Sequence, residues 1–445
     1  NSEEPMTKAM LTESHRLRSE ASRAEATRLC MASKDLWNHA NNIVLSVFTA
    51  STESKKNGDA EHATYLNYNA INRMMIDRCD PTYTALPRKV SNQTLMLLDK
   101  AWRGFFASMR SWKRDPSKFL GMPRMPGFRS HKRGGQTVTY EFGAISKKRL
   151  KKGFVSPSGT SIEVPFVHGA EEGVRLLGCR IVPLGDGEYK LDILYERTWE
   201  DKVEGRSVHA AIDLGVDNLA TVVFDDGSRP AIVSGRTIKS ENRFWNKQRA
   251  ALLAALQASD ARRRSSKRMR LIDAKHGRRM ESMLHEASRC LVDELVFRGA
   301  SDLIIGYNKN WKQDADMGSK NNQKFVGIPH ERFVSMVEYK CELSGIRTRR
   351  QEESYTSKAS FLDLDPMPTF ADDCAAPKFS GYRSERAWYK RKGHEQKVHA
   401  DVNGAYNILR KVIPAAFVKG ISGFAVSPAR LRSCERHGNG FPLVC

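Results

Sequence analysis

Apolar positions recur at helical spacing in the first quarter of the chain. From about Ala24 to Phe48 the stripe is Leu29, Ala32, Leu36, Ala40, Ile43 and Val47. A second helix is predicted from about Ser91 to Trp112, with Leu95, Leu98, Trp102, Phe105, Met109 and Trp112 on one face and Ser91 as its N-cap. The aromatic residues of that face read as helical core rather than as base-stacking groups. Residues 7–20 are short, polar and basic, the pattern of one edge strand. Pro116, Pro123 and Pro126 then break the helix and mark a boundary. From Gly134 to Glu196 the pattern is β-like, and CRIVPL and EYKLDILY flank Asp186-Gly187, a two-residue hairpin turn.

The second half begins with HAAIDLGVDNLATVVFDDG, His209 to Gly227, which predicts a hairpin; Pro230 to Val233 adds a third strand. A helical stretch from about Glu241 to Arg298 precedes a buried strand at Asp302–Gly306. Pro329 opens the next helix, Gly345 closes it, and Ile346 to Glu353 returns as a strand. Residues 354–398 lack periodicity and read as a small insertion. A last amphipathic helix runs from Ala400 through Val412, and the Gly- and Arg-rich tail is expected to be loosely ordered. Three meandering strands, helix, strand, helix, strand, helix is the element order of a ribonuclease-H-like fold. In that mixed sheet the first strand is central, the fourth lies parallel beside it, and the fifth lies beyond.

Composition narrows the class. Lys and Arg number 73 against 51 Asp and Glu, a net charge of +22, which points to a polyanionic partner, nucleic acid first. Lys147, Lys148 and Arg149, followed by Lys151 and Lys152, form either a solvated face or a phosphate contact. Arg262, Arg263, Arg264, Lys267 and Arg268 lie in an almost purely cationic stretch, expected to track a nucleic-acid backbone along one face of a helical hairpin. The eight cysteines are scattered without any CxxC, against a zinc ribbon or a disulfide framework and consistent with a reducing cytoplasm. No apolar run approaches the roughly 18–20 residues that span a bilayer, and no signal peptide is read in NSEEPMTKAM, so no membrane partner is expected.

The chemistry starts from Asp213, an acid inside an apolar run, costly to desolvate unless it meets a cation. The predicted fold brings it to one sheet end with Glu352 or Glu353, closing the fifth strand, and with Asp401, starting the last helix. Spaced carboxylates that hold two divalent cations about 3.5–4 Å apart are a standard device for in-line phosphodiester hydrolysis. Two Mg2+ ions suit the acids, with Mn2+ able to substitute. Adjacent strands lie about 4.8 Å apart, so a glutamate ending the fifth strand can reach the same ions.

Four segments, AIDLGVDNLAT, LIIGYNKNWKQ, QEESYTSKAS and HADVNGAYNI, together resemble the RuvC-type nuclease domain of the TnpB family, transposon-encoded RNA-guided nucleases related to compact type V CRISPR effectors. Upstream, LCMASKDLWNHANNIV and NQTLMLLDKAWRGFFASMRSWKRDPSKFLGMPRMPGF resemble that family's helical recognition lobe and its junction to a β-barrel wedge domain. The resemblance covers roughly residues 25–412.

It implies a multidomain α+β and α/β architecture. Residues 1–20 and 119–205 would form the wedge, 21–118 the helical lobe, and 206–353 with 399–415 the RuvC domain. Residues 354–398 would be a nucleic-acid-binding insertion, and 416–445 a flexible tail. It also implies a nucleoid-associated protein whose guide RNA directs it to double-stranded DNA beside a short adjacent motif, both strands being cut in one RuvC site. Trp311, Lys312 and Gln313 would contact nucleic acid. In many members the second catalytic acid ends the fourth strand, where this chain has Gly306 and its neighbours; other members carry a Glu before YTSK, which favours Glu353 over Glu352. Adjacent strand residues point to opposite faces, so only one of the two turns inward. Relatives often carry a zinc finger beginning near TSKxC; here Ala359 takes the Cys position and Cys374 stands alone, so structural zinc is not expected. A nuclease-inactive RNA-guided repressor is the main alternative. A DNA-only transposase or junction resolvase explains the carboxylates but not the large basic amino-terminal half.

Overall fold

The computed structural model describes residues 6–58, 64–131, 134–200, 205–307, 328–368, 377–385, 387–395, 397–414 and 427–431. The chain divides into two compact units at Glu200 and Asp201.

The first unit runs β1 (Met6–Arg16), α1 (Glu20–Asn57), α2 (Tyr68–Asp77), one-turn α3 (Pro81–Thr84), α4 (Arg88–Arg114), β2 (Val138–Glu141), one-turn α5 (Lys147–Leu150), β3 (Phe154–Val155), β4 (Val164–Pro165), β5 (Val174–Gly185) and β6 (Glu188–Glu200). The predicted stripes of α1 and α4 supply its core: Leu29, Leu36, Ala40, Leu95, Leu98 and Trp102 are all buried, joined by Trp37, which lies off the predicted stripe. Trp102 donates its indole N–H to Asn41 at 2.9 Å and meets Phe48, Phe105 and Phe106 edge-on or tilted, so this aromatic stripe is packing.

Two expectations change. Helix α4 starts at Arg88 after Pro87, and Ser91 sits buried one turn inside, its hydroxyl donating to the Tyr83 carbonyl at 2.7 Å instead of capping. The tight 80–87 turn set by Pro81 and Pro87 moves the helix start upstream. The expected barrel also does not close among the described residues: strand order is β1-β6-β5-β2, leaving β1 and β2 as two open edges. Helices substitute for closure, because Val138, Tyr140, Ile181, Leu191 and Ile193 share one core with α1 and α4. The Asp186-Gly187 turn is as read, with both residues at positive φ, the geometry that matches strand twist in a two-residue hairpin.

The second unit runs β7 (Val208–Leu214), β8 (Asn218–Phe224), β9 (Ala231–Ser234), α6 (Arg236–Ser259), α7 (Lys267–Phe297), β10 (Ala300–Gly306), α8 (His330–Leu343), β11 (Arg347–Gln351), β12 (Gly381–Glu385), β13 (Trp388–Arg391), β14 (Lys397–His399), α9 (Ala400–Val412) and β15 (Ala429–Leu431). Strand order is β11-β10-β7-β8-β9-β15, with β7, β10 and β11 parallel and β7, β8 and β9 antiparallel. The first strand is central and the fourth and fifth lie beyond it, as the element order predicts. Both faces are covered, which is why β7 and β10 read as near-continuous apolar runs. Ala210, Ile212 and Leu214 face α7 and α8; Ala211, Val223 and Ile304 face α9. The aperiodic insertion contains a small antiparallel sheet, β12-β13-β14. The tail is not wholly loose: Ala429–Leu431 pairs parallel with β9 and satisfies the edge that β9 would otherwise expose.

Candidate active site

Asp213 shares the odd-numbered face of β7 with Ala211, so the pleat points it toward α9. Ile212 pairs with Ile305, so Asp213 and Gly306 lie side by side where the parallel ladder ends. Asp213 is half-buried, and protein surrounds its carboxyl. Burial raises its pKa well above the usual carboxylate range; the charges of Glu353 and Asp401 push it further, and Arg383 opposes them.

Glu352 and Glu353 follow the last residue of β11, Gln351, which pairs with Gly306. Their side chains part company. Glu352 accepts from Lys411 Nζ at 2.9 Å and from the Ser354 backbone N–H at 2.5 Å, and despite partial burial these partners hold its pKa low. Glu353 turns inward. Burial and the neighbouring Glu352 charge raise its carboxyl to about 7, against a counter-effect from Lys411. Its carboxylate lies where a side chain on Gly306 would go: a Cβ there would collide with it and with Ile408. The space beside the end of the fourth strand is thus filled by the Glu353 carboxylate.

Asp401 sits in the first turn of α9, where a carboxylate complements the helix dipole. Asn218, the first residue of β8, donates to its Oδ2 at 2.8 Å, and Arg383 of β12 approaches Oδ1 at 3.5 Å. Gly404, one turn on, lets α9 approach closely; a Cβ there would lie 2.8 Å from Asp213 Oδ2. Two glycines therefore make the space in which the acids meet.

Among the described residues no three His, Cys, Asp or Glu side chains close on a single point tightly enough to enclose an ion. The three acids are instead spread across the sheet end, with Glu353 and Asp401 both within electrostatic reach of Asp213. Their repulsion is the charge imbalance that divalent cations neutralise, and an all-oxygen donor set suits Mg2+ or Mn2+, which complete their shells with water and phosphate. The donor chemistry suits such ions, although among the described residues the side chains do not form a closed ligand set.

Lys147, Lys148 and Arg149 form exposed α5, capped by Ser146, and Arg149 pairs with Glu163 at 2.9 Å. Arg262, Arg263, Arg264, Lys267 and Arg268 are exposed around the turn between α6 and α7. Trp311, Lys312 and Gln313 lie outside the described residues, as does Cys374. Ala359 is fully buried and its carbonyl accepts from Asn403 and Asn407. Asn218, Arg383, Gly306 and Gly404 were not singled out from the sequence as parts of the site. Gly306 enters the sequence reading only as the place where the resemblance leads one to expect an acid.

These features define a multidomain mixed α/β protein with a cluster of acids at one sheet end. Residues 192–312 match the OrfB_IS605 family model, described as a probable transposase, and residues 330–408 match the Cas12f1-like TNB domain. Over those residues the chain resembles the TnpB transposases and the Cas12f1-like proteins, as its four motifs had indicated. A Cas12f1–sgRNA–target DNA complex is similar at 15% identity and TM-score 0.33, over 89% of this chain and 98% of that one. The mini-RNA-guided endonuclease Cas_phi3 is similar at 9% identity and TM-score 0.43, over 94% of each. No curated protein matches. No helix among the described residues is long and apolar enough to cross a membrane.

Proposed function

We propose that the protein is an RNA-guided DNA endonuclease with a single RuvC-type site, ribonuclease-H-like in strand order, built from Asp213, Glu353 and Asp401. The observation that carries this is the convergence on Asp213 of two acids from distant parts of the chain, with Glu353 occupying the space left by Gly306. In this reading residues 21–118 form the recognition lobe, 1–20 and 119–205 the wedge, and 354–398 a nucleic-acid-binding insertion. The partners are a guide RNA and a target duplex beside a short adjacent motif, matching the sgRNA–DNA complex named for the similar Cas12f1 structure. Base pairing then reads sequence, and the surplus of 22 positive charges serves the phosphate backbone.

Divalent cations, when bound, supply an activated water and stabilise the leaving oxygen. The chain's own residues prepare their place. Asp213, Glu353 and Asp401 offer carboxylate oxygens, Asn218 fixes the orientation of Asp401, and Arg383 adds a positive charge beside the acids that complements a phosphodiester.

Asp213→Asn tests the reading on protein purified with its RNA. Cleavage of a matched target should fall about a thousandfold or more while RNA-guided binding persists. Substantial cleavage by that variant would overturn the site. The alternative is a nuclease-inactive repressor; wild-type protein that binds a matched target without cutting it in Mg2+ or Mn2+ would establish that instead.

A further inference from the structure

One helix serves both halves of the acidic cluster. On one stripe of α9, Asp401, Gly404 and Ile408 face the acids: Asp401 contributes a carboxylate, Gly404 abuts Asp213, and Ile408 lies against Gly306. A second stripe, Asn403, Asn407 and Lys411, is spaced by four and faces the segment that carries Glu353. Asn403 donates to the Ala359 carbonyl at 2.8 Å and accepts from the Phe361 N–H at 3.2 Å. Asn407 donates to the carbonyls of Thr356 at 2.9 Å and Ala359 at 2.7 Å. Lys411 reaches the Glu352 carboxylate at 2.9 Å and its carbonyl at 3.4 Å. Both asparagines are buried, and the Lys411 side chain is only 8% exposed.

The segment they hold needs holding. Glu353 lies beyond the last ladder pair, Gln351 with Gly306, so strand hydrogen bonding does not fix which glutamate turns inward. Tyr355 sits in the left-handed region at φ 64°, a strained conformation for a bulky residue, kept only where its surroundings over-determine it.

We propose that this second stripe, with Lys411 as its decisive member, is the positioning element that draws Glu352 outward and so commits Glu353 to the site. The inference rests on the metal-site reading above. A buried ammonium tethered to both the side chain and the carbonyl of Glu352 fixes the rotation of the 352–353 peptide. Partners that orient metal ligands in this way typically change metal affinity or activity by about 10–100-fold when removed.

The test uses full-length protein with its copurified RNA. Site-specific Mn2+ binding is followed by electron paramagnetic resonance as the fraction lost in Asp213→Asn, which subtracts ions held by RNA. Lys411→Met should weaken that fraction and slow cleavage about 10–100-fold, leave target binding unchanged, and be largely rescued by Lys411→Arg. Wild-type Mn2+ binding and cleavage in Lys411→Met, with Asp213→Asn defective, would overturn the positioning role alone. If Asp213→Asn itself binds Mn2+ like wild type, the metal-site reading fails and the inference with it. Should Lys411→Met not fold, Lys411→Gln, which keeps a donor without the charge, is read the same way.

Discussion

The acidic end of the mixed sheet and the basic turn between α6 and α7 carry opposite charges in opposite settings. Asp213 and Glu353 are enclosed, and their carboxyls are raised by burial first and then by neighbouring acids, Glu353 and Asp401 for Asp213 and Glu352 for Glu353. Arg262, Arg263, Arg264, Lys267 and Arg268 stand in solvent, with Arg263 only loosely near Asp260 at 3.8 Å. Exposed charge costs little and tolerates many partners. Enclosed like charge is expensive and persists only where something compensates it. On the proposed reading the difference teaches where specificity lies: the enclosed acids would select a defined cation, whereas the exposed arginines would ask only for a polyanion.

Glu353→Gln breaks the comparison most sharply. It keeps the shape and removes the charge, so cleavage should drop by about a hundredfold or more with target binding retained. It also carries a pH signature. Because the folded-state pKa, at about 7, is above the ordinary carboxylate value of 4.5, the folded protein binds this proton more tightly than the unfolded chain. Metal-free wild type should therefore lose stability as pH rises from 4.5 to 7, and added Mg2+ should restore most above pH 7. Melting curves in chelator at pH 5 and pH 8 check this; Glu353→Gln should lack this component, and identical pH dependence in the two proteins would show that Glu353 is not enclosed.

The Arg262→Ala, Arg263→Ala, Arg264→Ala triple variant probes the other region. Each phosphate contact contributes about 0.9 to the slope of log affinity against log salt, so the slope should shrink by up to about 3. The loss should be similar for every matched target, and cleavage of bound DNA should be unchanged. An unaltered salt slope, measured by filter binding, would make this turn a solvated surface.

Much of this was legible beforehand, for identifiable reasons. Strand order followed from the sequence of periods, Asp213 stands out because an acid in an apolar run needs an explanation, and Asp401 is reached because the predicted fold brings the start of the last helix to the same sheet end. The aromatic stripe of α4 was legible because its spacing alone fixes its face. What escaped was decided by long-range packing. The barrel stayed open because α1 and α4 cover the sheet, a choice local alternation does not encode. Asn218, Arg383 and Lys411 act across 183, 18 and 59 residues of sequence, respectively, to Asp401, Asp401 and Glu352, and no periodicity reports such pairings. Ala429–Leu431 was hidden for the same reason, since three residues become a strand only because β9 offers an edge.

The smallest expected effect is also the most discriminating, because it concerns the residue beside Glu353. Glu352 shares the chain position, the residue type and the turn, yet its carboxylate is met by Lys411 and Ser354 and is half open to solvent. Glu352→Gln keeps one side-chain acceptor, for either Lys411 or the Ser354 N–H but not both, and the Lys411 tether to the 352 carbonyl does not involve the side chain at all. Hydrogen bonds to a neutral partner retain roughly half the strength of the charged ones, so cleavage should stay within a few-fold of wild type, far above Glu353→Gln. Initial-rate measurements on one matched target, with both variants at saturating Mg2+, make the contrast directly. A reversal, with Glu352→Gln inactive and Glu353→Gln near wild type, would exchange the two glutamates and place the metal ligand on the opposite face of the turn.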